Sequence, residues 1–405
     1  DALDDSQGGG TRFSASSSSA RVSEGPGTHW DRRPYVEPPK ASATSAEWMP
    51  TRDWGRFSGP LLLLGYGSDN GLLIGGALNT TAHAFRKAPW SEKQSLRAVY
   101  STEQKEVRAT YQGQFRFENS PLRLGLFALG SGIETLRFYG SGNESQAAGG
   151  DDLYRIEQNR GHAEVALIWS RNERTDVALG LTARYNDTDP LDNPTLAGDE
   201  FYGEGSFTQL GVTTRVNVDA TDGLALPRRG LAFNATGSFF PEAADVSGSF
   251  GEVHGQARVY LSTPGDRGLT LSLKAGGQHV FGDYPFFESA FLGGRTPFNP
   301  LEAGGGSAVR GLPPQRYAGD STVFGSAEVY LTLTKAFVKI PGRLGLLGFY
   351  DVGRVFLDGE SSSLWHDGAG GGVFFATPGR RNLVSFSVAW SEGYTAYYLR
   401  AGLAF

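Results

Sequence analysis

Six histidines and no cysteine are all that this chain offers for activating a nucleophile or holding a soft metal. A serine–histidine hydrolase needs its imidazole beside the nucleophile and a third polar group to orient it. His29, His83, His162, His254, His279 and His366 are scattered, and none stands in a nucleophile motif. His366 and Asp367 are adjacent, but neighbours on a strand face opposite sides, so spacing alone makes no dyad of them. No histidine or carboxylate spacing marks a metal site, and no cofactor is expected. The run Gly65-Tyr66-Gly67-Ser68-Asp69-Asn70-Gly71 has the texture of a phosphate or calcium loop, yet a tight turn between two strands accounts for it fully. The chain is read as a non-enzyme. A net charge of -6 and a pI near 5.6, with no basic run standing clear of the acids, exclude a nucleic-acid partner.

The elements that would position any remaining chemistry are strands. Glycine is abundant at 57 residues, aromatics make up 12% and charges 20%, a balance that suits sheets with two unlike faces. A spanning helix needs about 18 consecutive apolar residues, and the best run is Leu61 to Leu64, so a membrane form would have to be a closed barrel. Residues 1–59 hold Gly8 to Gly10, the serine-rich stretch Ser14 to Ser19, and Pro26, Pro34, Pro38 and Pro39, with few aliphatics. They read as a disordered linker or periplasmic leader. From Pro60 to Phe405 the texture is that of short alternating runs. Tyr397, Leu399, Ala401, Leu403 and Phe405 oppose Tyr398, Arg400, Gly402 and Ala404, and Val253 to Leu261 and Leu269 to Leu273 repeat the pattern. Many runs approach the 9 to 11 residues, roughly, that cross a bilayer.

Connections sort by side, too. With Phe405 at the periplasmic end, the tight links Thr263-Pro264-Gly265-Asp266 and Thr377-Pro378-Gly379-Arg380 fall on one side. The long ones, about Phe138 to Asp152, Asn186 to Gly205 and Gly282 to Ser321, fall on the other. The expected fold is an all-β transmembrane antiparallel barrel of about 16 strands over residues 60–405, with a long outer loop. That loop, of roughly forty residues, is too long to stay ordered without an anchor. On neighbouring strands Glu328 shares a face with Ser326, Tyr330 and Thr332, and Asp351 with Gly345, Leu347, Phe349 and Gly353, so both carboxylates are expected to point inward.

Within the long loop lies Gly306-Ser307-Ala308-Val309-Arg310-Gly311-Leu312, and one hairpin later Phe349-Tyr350-Asp351-Val352-Gly353. In these two motifs the sequence resembles the bacterial surface antigen superfamily, which includes BamA, TamA and the two-partner secretion transporters. Their sixth outer loop carries Val-Arg-Gly and an aromatic, for which this chain has Leu312. The resemblance implies that this long outer loop is inserted in the lumen and locked there by Arg310 on Asp351, supported by Glu328, a guanidinium gripped at two points being fixed in direction as well as distance. It also implies a weak lateral seam between the strands near Leu61 to Tyr66 and Ala396 to Phe405, with Phe405 ending an assembly signal. Gly65, Gly67 and Gly71 give the first of these strands few side chains to pack.

The function so implied is an outer-membrane insertase or translocase. Its partners would be outer-membrane lipids, unfolded outer-membrane or secreted polypeptides, and accessory periplasmic proteins. Periplasmic modules of the BamA kind do not fit into residues 1–59. The stretches Phe138 to Glu144 and Phe85 to Pro89 look like the branch that carries an enzymatic domain ahead of the barrel, which would make this chain an anchor or secretion barrel. A passive pore is the third reading: inward Arg258, Lys274, Glu328 and Arg400 suit a channel, but a Val309-Arg310-Gly311 plug does not.

Overall fold

In the computed structural model, the described residues are 2–4, 6, 10–14, 21–35, 53–67, 69–147, 149–189, 193–196, 201–223, 225–265, 268–293, 308–338, 340–380 and 382–403. Phe405, Gly306 and Ser307 lie outside them. Sixteen strands form one antiparallel sheet in simple up-and-down order. They are β1 (Arg56–Gly67), β2 (Gly71–Ala82), β3 (Glu92–Ser101), β4 (Val107–Arg116), β5 (Leu122–Arg137), β6 (Arg155–Asn172), β7 (Thr175–Asp189) and β8 (Gly205–Asp219). Then follow β9 (Gly230–Phe240), β10 (Phe250–Ser262), β11 (Leu269–Gly282), β12 (Ser321–Val338), β13 (Ile340–Phe356), β14 (His366–Ala376), β15 (Asn382–Ser391) and β16 (Tyr394–Leu403). The fold is a transmembrane β-barrel, in which backbone groups find partners across the ladders rather than in lipid.

Two-residue periodicity decides which side chains meet lipid. On β6, Val165, Leu167 and Trp169 are exposed on the outer wall, while His162, Glu164, Ala166 and Ile168 are buried on the inner one. The inner face is a hydrogen-bonded ionic network: Arg184 donates to Glu252 at 2.6 Å and to Glu288 at 3.1 Å, and Arg215 to Glu164 at 2.9 Å. Such pairing is the condition for keeping charges out of bulk water. It also explains one departure from expectation. The stretch from Asn186, read as loop, continues β7 through Asp189, because Asn186 accepts from Arg160 and Thr188 from Gln158 on the lumen wall.

Short turns gather at one end, where the Thr263 amide donates to the Leu269 carbonyl and the Thr377 amide to the Asn382 carbonyl. The described residues of the long connections, within 138–154, 193–204 and 283–320, gather at the other. Above that end Phe138, Phe286, Phe287 and Phe291 join Phe207, Phe240 and Phe250 in a buried cluster. Ahead of the sheet, Arg12–Ser14 pairs parallel with His29–Asp31, and Arg12 meets Glu118 at 2.9 Å in the short turn after β4.

Candidate functional site

The described parts of the connection between β11 and β12, residues 283–293 and 308–320, fold back into the barrel. Ala290–Leu292 pairs with Tyr317–Gly319, and Val309 and Leu312 are buried in a cluster with Leu292, Tyr317 and Val355. These apolar residues seat the segment against β13. The Val309 neighbour Arg310, 4% exposed, is thereby directed at the wall.

There β12 and β13 present their inward side chains in register, Ser326 opposite Asp351 and Glu328 opposite Phe349. Arg310 donates from Nε to Asp351 Oδ2 at 2.6 Å and from Nη2 to Asp351 Oδ1 at 2.7 Å, a two-point grip. The Arg310 backbone amide donates to Asp351 Oδ2 at 3.0 Å. Its Nη1 donates to Glu328 Oε1 at 2.5 Å and Nη2 to Ser326 Oγ at 3.0 Å. The guanidinium carbon lies 3.5 Å from the Phe349 ring centroid, so the aromatic face shields the charge. Two carboxylates against one guanidinium would leave an excess negative charge, which Arg258, Lys274 and Arg400 offset from the surrounding wall.

Glycines set the approach. Gly311 has φ +101°, and a Cβ there would stand 2.8 Å from Ser391 and Trp390. At Gly368 a Cβ would meet the Arg310 carbonyl oxygen at 2.0 Å, so β14 can pass the loop only as glycine. Gly353 lies beneath Leu292 and Val309.

Tyr397 and Leu399, by contrast, are not in this constellation: they are 71% and 77% exposed on the outer face of β16. Leu403 holds only its backbone register opposite Asn382. Among the described residues no ladder joins β1 to β16, the two ends of the sheet. The inward Leu61 and the outward Leu62, Leu64 and Tyr66 of β1 are all more than half exposed, at 55%, 69%, 68% and 81%.

The profile of the Omp85 superfamily domain matches residues 90–402. The chain belongs to the Omp85 superfamily. Among solved structures the barrel is similar to BamA from Haemophilus ducreyi lacking POTRA domains 1–3, with a TM-score of 0.59 at 13% identity over 85% of this chain and 70% of that one. It is also similar to CdiB from Escherichia coli, with a TM-score of 0.53 at 15% identity over 87% of this chain and 63% of that one. At these identities the likeness is one of fold. No curated protein sequence matches.

In this Omp85 barrel several contacts of the loop escape sequence reading. Tyr398 on β16 accepts a hydrogen bond from the Gly311 amide at 3.1 Å. Tyr317 donates to Glu392, in the turn between β15 and β16, at 2.7 Å, and Glu392 also bonds His366 Nδ1. Asp367, the sequence neighbour of His366, instead accepts from Tyr350 at 3.0 Å. The signal for Glu392 is the β14–β15 register: Ala369 opposite Trp390, continued past the strand ends, brings residue 366 to the level of the turn. The Phe138 to Glu144 stretch lies in the long-loop cap, where Asn143 Oδ1 accepts from the Val355 amide at 2.9 Å and the Asn143 carbonyl bonds His366 Nε2, also at 2.9 Å.

Proposed function

We propose that this barrel is an outer-membrane insertase or translocase of the BamA/TamA type, working at a lateral seam between β1 and β16 under control of the Val-Arg-Gly loop. The long-loop end is taken as the outer one and the short-turn end, with the leader, as periplasmic, following the usual asymmetry of bacterial barrels. Clients are unfolded outer-membrane or secreted polypeptides, with accessory periplasmic proteins as further partners. No nucleotide or cofactor enters the scheme.

The observation that carries this reading is Arg310 gripped by Asp351 and Glu328 in a loop that also touches β16 through Tyr398. A diffusion pore gains nothing from a buried ionic lock across its own lumen. An edge strand is a template for another strand, and β1, which has one ladder among the described residues, offers backbone groups beside apolar side chains on both faces.

The test is reconstitution. The folding rate of an unfolded outer-membrane protein is followed in liposomes with and without the barrel. Acceleration is expected, a barrier lowered by about 1.4 kcal/mol giving a tenfold gain. Arg310→Ala should return the rate toward that of empty liposomes. A correctly folded barrel that gives no acceleration would overturn the insertase reading.

A further inference from the structure

The connection between β8 and β9, residues 220–229, belongs to the short-turn end, yet it has an unusual composition. Thr221-Asp222-Gly223-Leu224-Ala225-Leu226-Pro227-Arg228 places apolar residues at the middle of a turn, where solvated connections carry polar ones. Leu226 is 3% exposed. It belongs to one buried cluster with Leu347 and Phe349 of β13, Phe374 and Ala376 of β14, and Ala389 of β15. None of these strands is a sheet neighbour of β8 or β9. Leu226 can join that cluster only if the turn reaches into the lumen and rests on a distant part of the inner wall.

Polar contacts stake the turn in place. The Ala225 amide donates to the Arg380 carbonyl at 3.0 Å, tying it to the link between β14 and β15. The Arg228 guanidinium donates to the Gly265 carbonyl at 2.7 Å, and its amide to Asp222 Oδ2 at 3.1 Å. Thr221 Oγ1 donates to Asp219 Oδ1 at 2.7 Å at the root of the turn. Phe349, a member of the turn's cluster, is also the ring against which the Arg310 guanidinium packs. The outer loop and this turn thus engage the same stretch of wall from opposite ends of the barrel.

We propose that turn 220–229 is a second plug, seated from the short-turn end, and that it and the Arg310 loop close the lumen in series. Ions or a chain using the lumen must displace both, whereas a strand entering at the seam need not displace the turn. This goes beyond the insertase reading, and its readout is conductance, which does not depend on whether the barrel accelerates folding.

Planar-bilayer conductance is compared for the unmodified barrel, Arg310→Ala, the paired change Leu226→Ser with Pro227→Gly, and all three changes together. Two barriers in series predict small conductance in the first three and, in the combination, more than the sum of the separate variants. A combination that conducts no better than Arg310→Ala alone overturns the proposal. Should the combination not fold, single cysteines decide the matter, since the chain has none of its own. Leu226→Cys should react with a bulky maleimide more slowly than the exposed Arg229→Cys, by roughly tenfold or more, as opening of a packed segment requires. Equal labelling in the folded barrel would place the turn in solvent and refute the second plug.

Discussion

At the scale of the residue, Arg310 shows why charge alone does not define the site. Asp351 accepts three hydrogen bonds from it, including one from its backbone amide, and Glu328 accepts one. Lysine at 310 would keep the charge but offer a single ammonium in place of a planar fork, so Arg310→Lys is expected to behave more like Arg310→Ala than like the unmodified protein. Removing one partner of a buried ion pair costs about 3–5 kcal/mol because the other charge is stranded. Asp351→Asn should therefore loosen residues 308–320, measured by amide exchange, more than Glu328→Gln does. The reverse order would mean that Glu328 bears the loop. The inward faces of Asp351 and Glu328 were legible in the sequence because alternation fixes which side of a strand a residue faces, whereas Arg310 as their partner followed only from the family resemblance of its Val-Arg-Gly motif. Tyr398 was not legible: its contact with Gly311 depends on where a distant loop comes to rest.

At the scale of the element, the loop is held at a second place, the turn joining β15 to β16. Burial pushes the Glu392 carboxyl up, and hydrogen bonds from His366 and Tyr317 outweigh it and hold the group below its usual range. A depressed carboxyl stabilises the folded arrangement above its unfolded value, about 4.3 for glutamate, and loses that contribution as pH falls through the folded value. Exchange in 308–320, taken relative to the intrinsic rate at each pH, should accordingly rise on acidification below about pH 4.3, and Glu392→Gln should flatten that particular rise. A rise of the same size in Glu392→Gln would assign the pH response elsewhere. Strand existence was plain from period two, whereas the ends were not. β7 runs on through polar Asn186 and Thr188 because the lumen accepts side chains that a soluble core would reject.

Considered whole, the molecule is a sheet whose ends differ from its middle. Every strand from β2 to β15 has a ladder on both edges, while β1 and β16 each have one among the described residues. Backbone amides with one-sided pairing open more readily. Hydrogen exchange on the barrel in bilayer nanodiscs should be fastest in 56–67 and 394–403 and slowest in β6 and β7, which are 18 and 15 residues long. Uniform protection around the barrel would argue against a weak seam.

The sequence by itself determined the barrel, its strand number, the sorting of long and short connections and the inward acids, because each follows from local periodicity and turn chemistry. The Val-Arg-Gly and Asp-x-Gly motifs added the family. Only the tertiary structure decided which residues a long loop and a folded-in turn would meet. Arg310 lies 41 positions from Asp351, and Gly311 lies 87 from Tyr398. Contacts across a lumen depend on curvature, register and packing summed over many strands, and no local stretch of the chain encodes them. Leu226 is the clearest case: it is an apolar residue in a turn, and only the inner wall beyond its own hairpin gives it somewhere to be buried.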